Sequence, residues 1–113
     1  MEKEITHYVY IYIEIANNGA PYLMHQEISP DLMKEVGAAF RDHGGINIIT
    51  EINIEKRITS VWNTPGGYNR WLADDRVKPY IDLRNSYNSQ NNITSTLSGP
   101  FTHTLTKQIK DDE

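Results

Sequence analysis

Apolar and tyrosine residues alternate between residues 5 and 15 in a way that gives this segment two apolar faces. Side chains of a strand alternate between its two faces, so Tyr8, Tyr10 and Tyr12 share one face. A strand of a small sheet normally has only one apolar face. We therefore predict a central strand that is covered on both sides. The second face carries Ile5, Val9, Ile11, Ile13 and Ile15.

Two covered faces have a consequence for assembly. A chain of 113 residues folds as a single domain, residues 1–113. Its own helices can cover one sheet face but hardly both. We therefore expect a homodimer in which a second copy covers the remaining face.

Three segments are predicted to be helical. A short turn is expected within residues 23–28, and Ser29 followed by Pro30 marks the start of a first helix that ends before Gly44. Thr64 and Pro65 repeat this signal for a second helix, and a further helical segment follows Asp74. The first helix has an apolar stripe of Leu32, Met33, Val36, Ala39 and Phe40, and the last one of Val77, Tyr80, Leu83 and Tyr87.

Three further strands complete the pattern. Residues 46–55 and 57–63 are predicted to form a hairpin, because they are joined directly through Glu55 and Lys56. Residues 88–100 are polar and contain glycine, which predicts a loop. Residues 101–109 predict a last strand with Phe101, Leu105 and Ile109 on one face. The order predicts an α+β fold, the ferredoxin-like split βαβ with an antiparallel four-stranded sheet and its first and third strands central.

Composition limits the classes of function. Eleven basic and 15 acidic residues give a net charge of -4 with no basic stripe, which argues against nucleic-acid binding. Cysteine is absent, so disulfides and thiolate chemistry are excluded. No signal peptide and no membrane-spanning run is recognisable, and we expect a cytoplasmic protein that does not bind membranes.

Residues 61–72, with Asp74 after them, resemble the strand-to-helix segment of the antibiotic-biosynthesis-monooxygenase-like family. In that family an aromatic-ended strand runs through a short turn into a helix with a tryptophan-leucine pair, here Trp71 and Leu72. The resemblance implies a dimeric α+β barrel with a pocket between each sheet and its helices. Some members oxidise aromatic polyketides without metal or flavin, some degrade haem, and many have no known activity.

The haem-degrading branch carries a histidine about ten residues after this tryptophan, and here Ile81 stands in its place. That branch also has an asparagine in its first strand, which this chain lacks. We therefore expect no haem ligation and no cofactor.

The candidate catalytic residues are His7 and His103. They share a face with the apolar residues of their strands, so they could point into the pocket as acid or base near neutral pH. A hydrogen-bonded histidine at a strand end or interface is the favoured alternative. His43, at the end of the first helix, is interpreted as a cap. No histidine pair has the helical spacing of a metal site, and we expect none.

The candidate ligand-binding residues are Trp62, Tyr10 and Asn47. Trp62 could stack on an aromatic ligand, Tyr10 could present its hydroxyl, and Asn47 could polarise a carbonyl. Core packing is the favoured explanation of the aromatic residues, since each buried ring contributes roughly 1.5–3 kcal/mol, and an exposed sheet face explains Asn47 equally well.

Two hypotheses about function remain. The first is a cofactor-independent monooxygenase-like enzyme that acts on a small aromatic or enolisable compound, with His103, His7 and Trp62 lining its pocket. The second is a dimeric binding or regulatory module with the same pocket and no chemistry. A titratable group inside an apolar cavity would favour the enzyme.

Overall fold

The computed structural model describes residues 2–108, and the elements in this range follow the predicted order. Strand β1 spans Glu2–Ala16, and a short 3₁₀ turn at His25–Glu27 precedes helix α1. The other elements are α1 Pro30–Asp42, β2 Gly45–Ile52, β3 Lys56–Trp62, α2 Gly67–Ala73, α3 Lys78–Gln90 and β4 Ile93–Gln108.

The four strands form one antiparallel sheet in the order β2-β3-β1-β4. The first and third strands are central, as predicted, and the ferredoxin-like α+β fold is confirmed. Ser29 accepts a hydrogen bond from the Leu32 amide, and Pro30 is the first residue of α1, so the predicted start of this helix is also confirmed. No helix within residues 2–108 is long and apolar enough to cross a bilayer.

The predicted loop at residues 88–100 is wrong. Helix α3 continues to Gln90, and β4 already begins at Ile93, eight residues before the predicted strand start. The serines and threonines of this stretch pair with β1, and threonine suits a strand well when one side faces solvent. The pairing register between β1 and β4 shifts where Gly99 and Pro100 lie opposite Tyr10. An edge strand such as β4 tolerates a proline and an irregularity of this kind. Ile109, assigned to the last strand, lies outside the described residues.

The predicted start of the second helix at Thr64 is also wrong. Helix α2 begins at Gly67, because the Thr64 hydroxyl donates to the His43 carbonyl oxygen at 2.9 Å and does not cap a helix. Gly66 adopts a positive φ of 75°, which reverses the chain before α2. A side chain at Gly67 would collide with the His43 carbonyl oxygen and crowd Trp62. The joint between β3 and α2 is therefore closely packed.

The two sheet faces have different surroundings. On the first, which we call the helix side, Tyr10, Tyr12 and Glu14 are buried against the three helices. On the second, the open side, the isoleucines of β1 are half-buried or exposed, and Phe101 of β4 is 51% exposed. The tyrosine face of β1 is thus the one that packs on the helices. The core on the helix side also contains Leu23, Ile28, Val36, Ala39, Phe40, Trp62, Tyr68, Trp71, Val77 and Tyr80.

Candidate ligand-binding site

A cavity of about 130 Å³ lies between the helix side of the sheet and the three helices. Strand β3 contributes alternate residues to its floor, because side chains two apart point to the same face. Helices α1, α2 and α3 contribute the walls, and the exposed residues of β2 lie at its edge. The lining residues are Tyr12, Met33, Val36, Phe40, Ile48, Thr50, Ile58, Ser60, Trp62, Tyr68, Trp71, Tyr80 and Arg84.

Aromatic rings form one end of this cavity. The ring of Phe40 meets that of Trp62 edge-on at a centroid distance of 4.6 Å, and Tyr68 meets Trp62 edge-on at 5.8 Å. The Trp62 indole N–H donates to the Ser60 hydroxyl at 3.0 Å, and that of Trp71 donates to the Val36 carbonyl at 3.1 Å. Since both indole donors are satisfied, the rings are fixed and present apolar surface to a ligand.

Arg84 is the one charged residue among those lining the cavity. Its guanidinium carbon lies 4.3 Å from the centroid of the Tyr12 ring and 5.9 Å from that of Tyr80. Its Nε atom is buried and has no hydrogen-bond partner among the described residues. A guanidinium has five fixed donors, so Arg84 can still bind an anionic or carbonyl oxygen.

Three tyrosines beside Arg84 remain neutral phenols at physiological pH. Burial is the main cause that raises the pKa of Tyr12, Tyr68 and Tyr80, and the positive charge of Arg84 opposes this rise in each case. A neutral phenol can donate a hydrogen bond, whereas a phenolate cannot. The cavity therefore combines one cation with hydrogen-bond donors on an aromatic wall.

A buried polar network fixes the hydroxyl of Tyr12. The Tyr12 hydroxyl donates to Glu14 Oε2 at 2.6 Å, and the Asn88 amide donates to the same oxygen at 2.8 Å. The Lys56 ammonium lies 3.7 Å from Glu14 Oε1 and donates to the Leu23 carbonyl at 3.1 Å. Because Glu14 is fully buried, the network must stay intact for the carboxylate to be tolerated.

The predicted ligand-binding residues lie in three different settings. Trp62 is fully buried and lines the cavity. Tyr10 is buried beside it and stacks on Tyr68 at 4.3 Å, although it is not among the lining residues. Asn47 is exposed and lines a neighbouring outer groove of about 320 Å³, which shares Met33 and Trp71 with the cavity. Their roles in binding stay predictions.

The predicted catalytic histidines do not line this cavity. His7 and His103 lie directly opposite each other on β1 and β4, and they share the open side with Val9. The expectation that they point into the pocket between sheet and helices is therefore corrected. The shared face of the two histidines and the apolar residues of their strands was predicted correctly, but the sequence pattern did not show that the helices cover the tyrosine face.

His43 caps α1 as predicted and also ties α1 to the segment after α2. Its Nε2 atom lies 2.9 Å from Asp74 Oδ2, and the guanidinium of Arg76 bridges Asp74 and Asp42 at 2.9 Å each. Hydrogen bonds from Arg76, and then from His43, hold the pKa of the Asp74 carboxyl below its usual range. This cluster therefore serves to connect helices at a distance from the cavity.

Sequence reasoning missed Arg84, Tyr80 and Glu14 as site residues. Arg84 lies one turn after Tyr80 on α3, and Glu14 continues the tyrosine face of β1. A carboxylate in line with buried tyrosines was the available signal. Within residues 2–108, no three acidic or histidine side chains come close enough together to hold a metal ion.

Comparisons with known proteins bear on the fold. No protein-family model and no curated protein matches the chain. The structure of SnoaB, a cofactor-independent oxygenase from Streptomyces nogalater, is similar over 95% of this chain and 98% of that chain, with a TM-score of 0.52 and 15% identity. The chain therefore shares the ferredoxin-like fold of this oxygenase.

A second structure, a candidate antibiotic biosynthesis monooxygenase from Chloroflexus aurantiacus, has a TM-score of 0.47 and 14% identity. The similarity covers 92% of this chain and 95% of that chain. The resemblance predicted from residues 61–72 is confirmed at the level of the fold by the SnoaB structure, and at 15% identity it carries no residue roles.

Proposed function

We propose that the protein is a cofactor-independent monooxygenase-like enzyme that binds a small aromatic or enolisable compound in the cavity between sheet and helices. The observation that carries this proposal is Arg84, a single guanidinium facing an otherwise apolar and aromatic cavity. An aromatic ligand with an acidic hydroxyl or an enolisable carbonyl satisfies both features. Its ring contacts Trp62 and Tyr68, and its oxygen faces Arg84.

The size of the cavity supports a small ligand. An apolar cavity of about 150 Å³ is large enough to bind benzene, so about 130 Å³ accommodates one ring. The outer groove beside it shares Met33, Phe40 and Trp71, and it can hold further rings or substituents. A fused aromatic compound would therefore place its reactive ring inside and the remainder towards Asn47.

The chemistry follows from an enolate beside a cation. Loss of a C–H proton to water leaves a carbanion, whose negative charge moves onto the carbonyl oxygen and is stabilised there by Arg84. The electron-rich carbanion passes one electron to O₂, and the carbon radical and superoxide combine to a peroxide anion. This anion takes a proton back from water to give the hydroperoxide, and loss of water leaves a new carbonyl. The balance is R₂CH₂ + O₂ → R₂C=O + H₂O, with no metal or flavin required.

The test uses anthrone, an enolisable tricyclic ketone that yields anthraquinone and water with one O₂. We expect protein-dependent O₂ uptake in an oxygen electrode, above the rate of anthrone in buffer alone. Arg84→Met should lower kcat/KM by about 10²-fold, the range found when one donor to a developing oxyanion is removed. Arg57→Met is the matched control, since Arg57 is exposed and pairs with Glu55.

The non-catalytic alternative is favoured by one observation. The lining residues include no histidine, aspartate or glutamate, so the described cavity holds no ordinary general base. A binding module would quench the fluorescence of Trp62 and Trp71 on titration with anthrone and show no O₂ uptake above buffer. That combination would contradict the enzyme and support the binding module, whereas absence of both signals would contradict the two functions together.

We further propose that the protein acts as a homodimer through the open side of the sheet. This face carries a row of apolar side chains on β1 and on its two neighbours β3 and β4, and exposed apolar faces of this kind are typical of interfaces. One chain has a mass of 13.0 kDa. Light scattering should give twice this mass, and a monomeric mass would contradict the proposal. The row comprises Val9, Ile11, Ile13, Ile15, Val61 and Phe101.

A further inference from the structure

We propose that His7 and His103 form a chelating site for a divalent transition-metal ion such as Zn²⁺, on the open side of the sheet. The two residues are direct partners in the antiparallel pairing of β1 with β4. Directly opposed residues project to the same face with Cβ atoms about 4.5–5.5 Å apart. The chain folding therefore brings together two imidazoles that are 96 positions apart in the sequence.

The neighbouring pair shows that side chains meet at this level of the two strands. Thr6 and Thr104 are also direct partners, and their hydroxyl oxygens lie 3.1 Å apart on the opposite sheet face. The strands are thus in register and close enough for cross-strand contact one residue away from the His7–His103 level. No strand movement is needed for the two rings to approach each other.

The geometry of the pair suits a metal ion. Zinc binds imidazole nitrogen at about 2.0–2.1 Å, so two ligating nitrogens of a tetrahedral site lie roughly 3.3 Å apart. Opposed histidines can reach this separation by rotation of their side chains. Each neutral imidazole has one ring nitrogen whose lone pair can bind a metal ion. Water, or a side chain of the second copy that we propose to cover this face, would occupy the remaining coordination positions.

The other histidines provide natural controls. His43 is held by Asp74, and its ring nitrogen is therefore occupied. His25 lies in the 3₁₀ turn before α1, in a different part of the chain from the β1–β4 pair. Metal binding that depends on chelation should therefore require both His7 and His103, and it should be indifferent to the other two.

Isothermal titration of the full chain with ZnCl₂ tests the site. We expect one ion per chain, with the affinity lowered at least about tenfold in His7→Asn and likewise in His103→Asn. The double variant should be no weaker than either single one, because one ligand alone does not chelate. His25→Asn and His43→Asn should bind as the unaltered chain does.

Thermal unfolding is a second measurement of the site, and it does not depend on the binding titration. Because an ion that binds only the folded chain stabilises it, ZnCl₂ should raise the thermal unfolding midpoint of the unaltered protein and of His43→Asn, but not of His7→Asn. Absence of zinc binding, or binding that survives both substitutions at His7 and His103, would overturn the proposal. These outcomes are independent of the anthrone experiments, since the pair lies on the other side of the sheet from the cavity.

Discussion

The two sides of the sheet belong to the same strands, but their side chains are buried to different extents and by different means. On the helix side, Trp62 and Glu14 have no exposed surface, and the Tyr12 hydroxyl and the indole N–H groups of Trp62 and Trp71 each have a defined acceptor. On the open side, Ile15 is 43% exposed and Phe101 51%, and the row of side chains is almost purely aliphatic. Tyrosine and tryptophan need internal acceptors, whereas isoleucine needs only the exclusion of water. The first side is therefore complete within one chain, and the second is suited to cover by another copy.

The largest difference between the two sides is expected from adjacent positions of β1. Tyr10→Asp places a carboxylate in the aromatic core, where it stacks on no ring and has no cation to pair with, so the chain should fail to fold. Ile11→Asp changes the open side and should leave a folded monomer. Circular dichroism distinguishes folding, and light scattering distinguishes assembly. Two folded variants with the same mass would contradict the assignment of the faces.

The next largest effect is expected at the neighbouring positions of β3. Trp62→Ala removes a fully buried ring that contacts Phe40, Tyr68 and Trp71, and it should lower the free energy of unfolding by about 3–5 kcal/mol. Val61→Ala, on the open side, should cost about 1 kcal/mol. Urea unfolding followed by circular dichroism measures both. Equal losses would show that the open side is as tightly packed as the helix side.

The buried ion pair offers a sharper test of the helix side. Lys56→Met leaves the Glu14 carboxylate buried without its cation, and we expect a loss of about 3 kcal/mol in unfolding free energy. Adding Glu14→Gln to the Lys56→Met variant removes the buried negative charge but keeps an oxygen that accepts the hydrogen bond from the Tyr12 hydroxyl. The double variant should therefore be more stable than Lys56→Met alone. If the double variant lost as much unfolding free energy as the two single variants together, the electrostatic coupling between Lys56 and Glu14 would be contradicted.

The smallest effect is expected from pH, through Asp74. Arg76 and His43 lower the folded-state pKa of Asp74 below the ordinary value of 3.8, so its ionised form stabilises the fold above that value. This contribution is lost as the pH falls below about 3.8 towards the folded-state pKa. Asp74→Asn should reduce stability at pH 7 and flatten the dependence of unfolding free energy on pH between 5 and 2. An unchanged slope would exclude this role.

The fold could be predicted from the sequence because most elements carry strong local signals. The alternation in β1 and the Ser29–Pro30 start of α1 depend on neighbours in the chain, and both were predicted correctly. The start of β4 was missed because its polar residues pair with β1, which is far away in the sequence. Thr64 was misassigned as a cap because its actual partner, the His43 carbonyl, lies on another element.

The site was less predictable than the fold for the same reason. Trp62 was identified because its ring could stack on an aromatic ligand, and the structure places it in the wall of the cavity. The interpretation of His7 and His103 failed on one fact, the choice of face that the helices cover. Arg84 and Glu14 acquire their meaning only when α3 packs across β1, and no local pattern encodes that contact.

The close packing at Gly67 has a consequence for how such a chain can change over time. A larger residue there would collide with backbone, so the joint between β3 and α2 tolerates no enlargement. The side chains around the cavity face no such barrier at Ile48 and Thr50, which lie at its exposed rim. New ligand preferences can therefore arise by substitutions at the rim while the joint stays fixed, so selection can act on recognition without first rebuilding the scaffold.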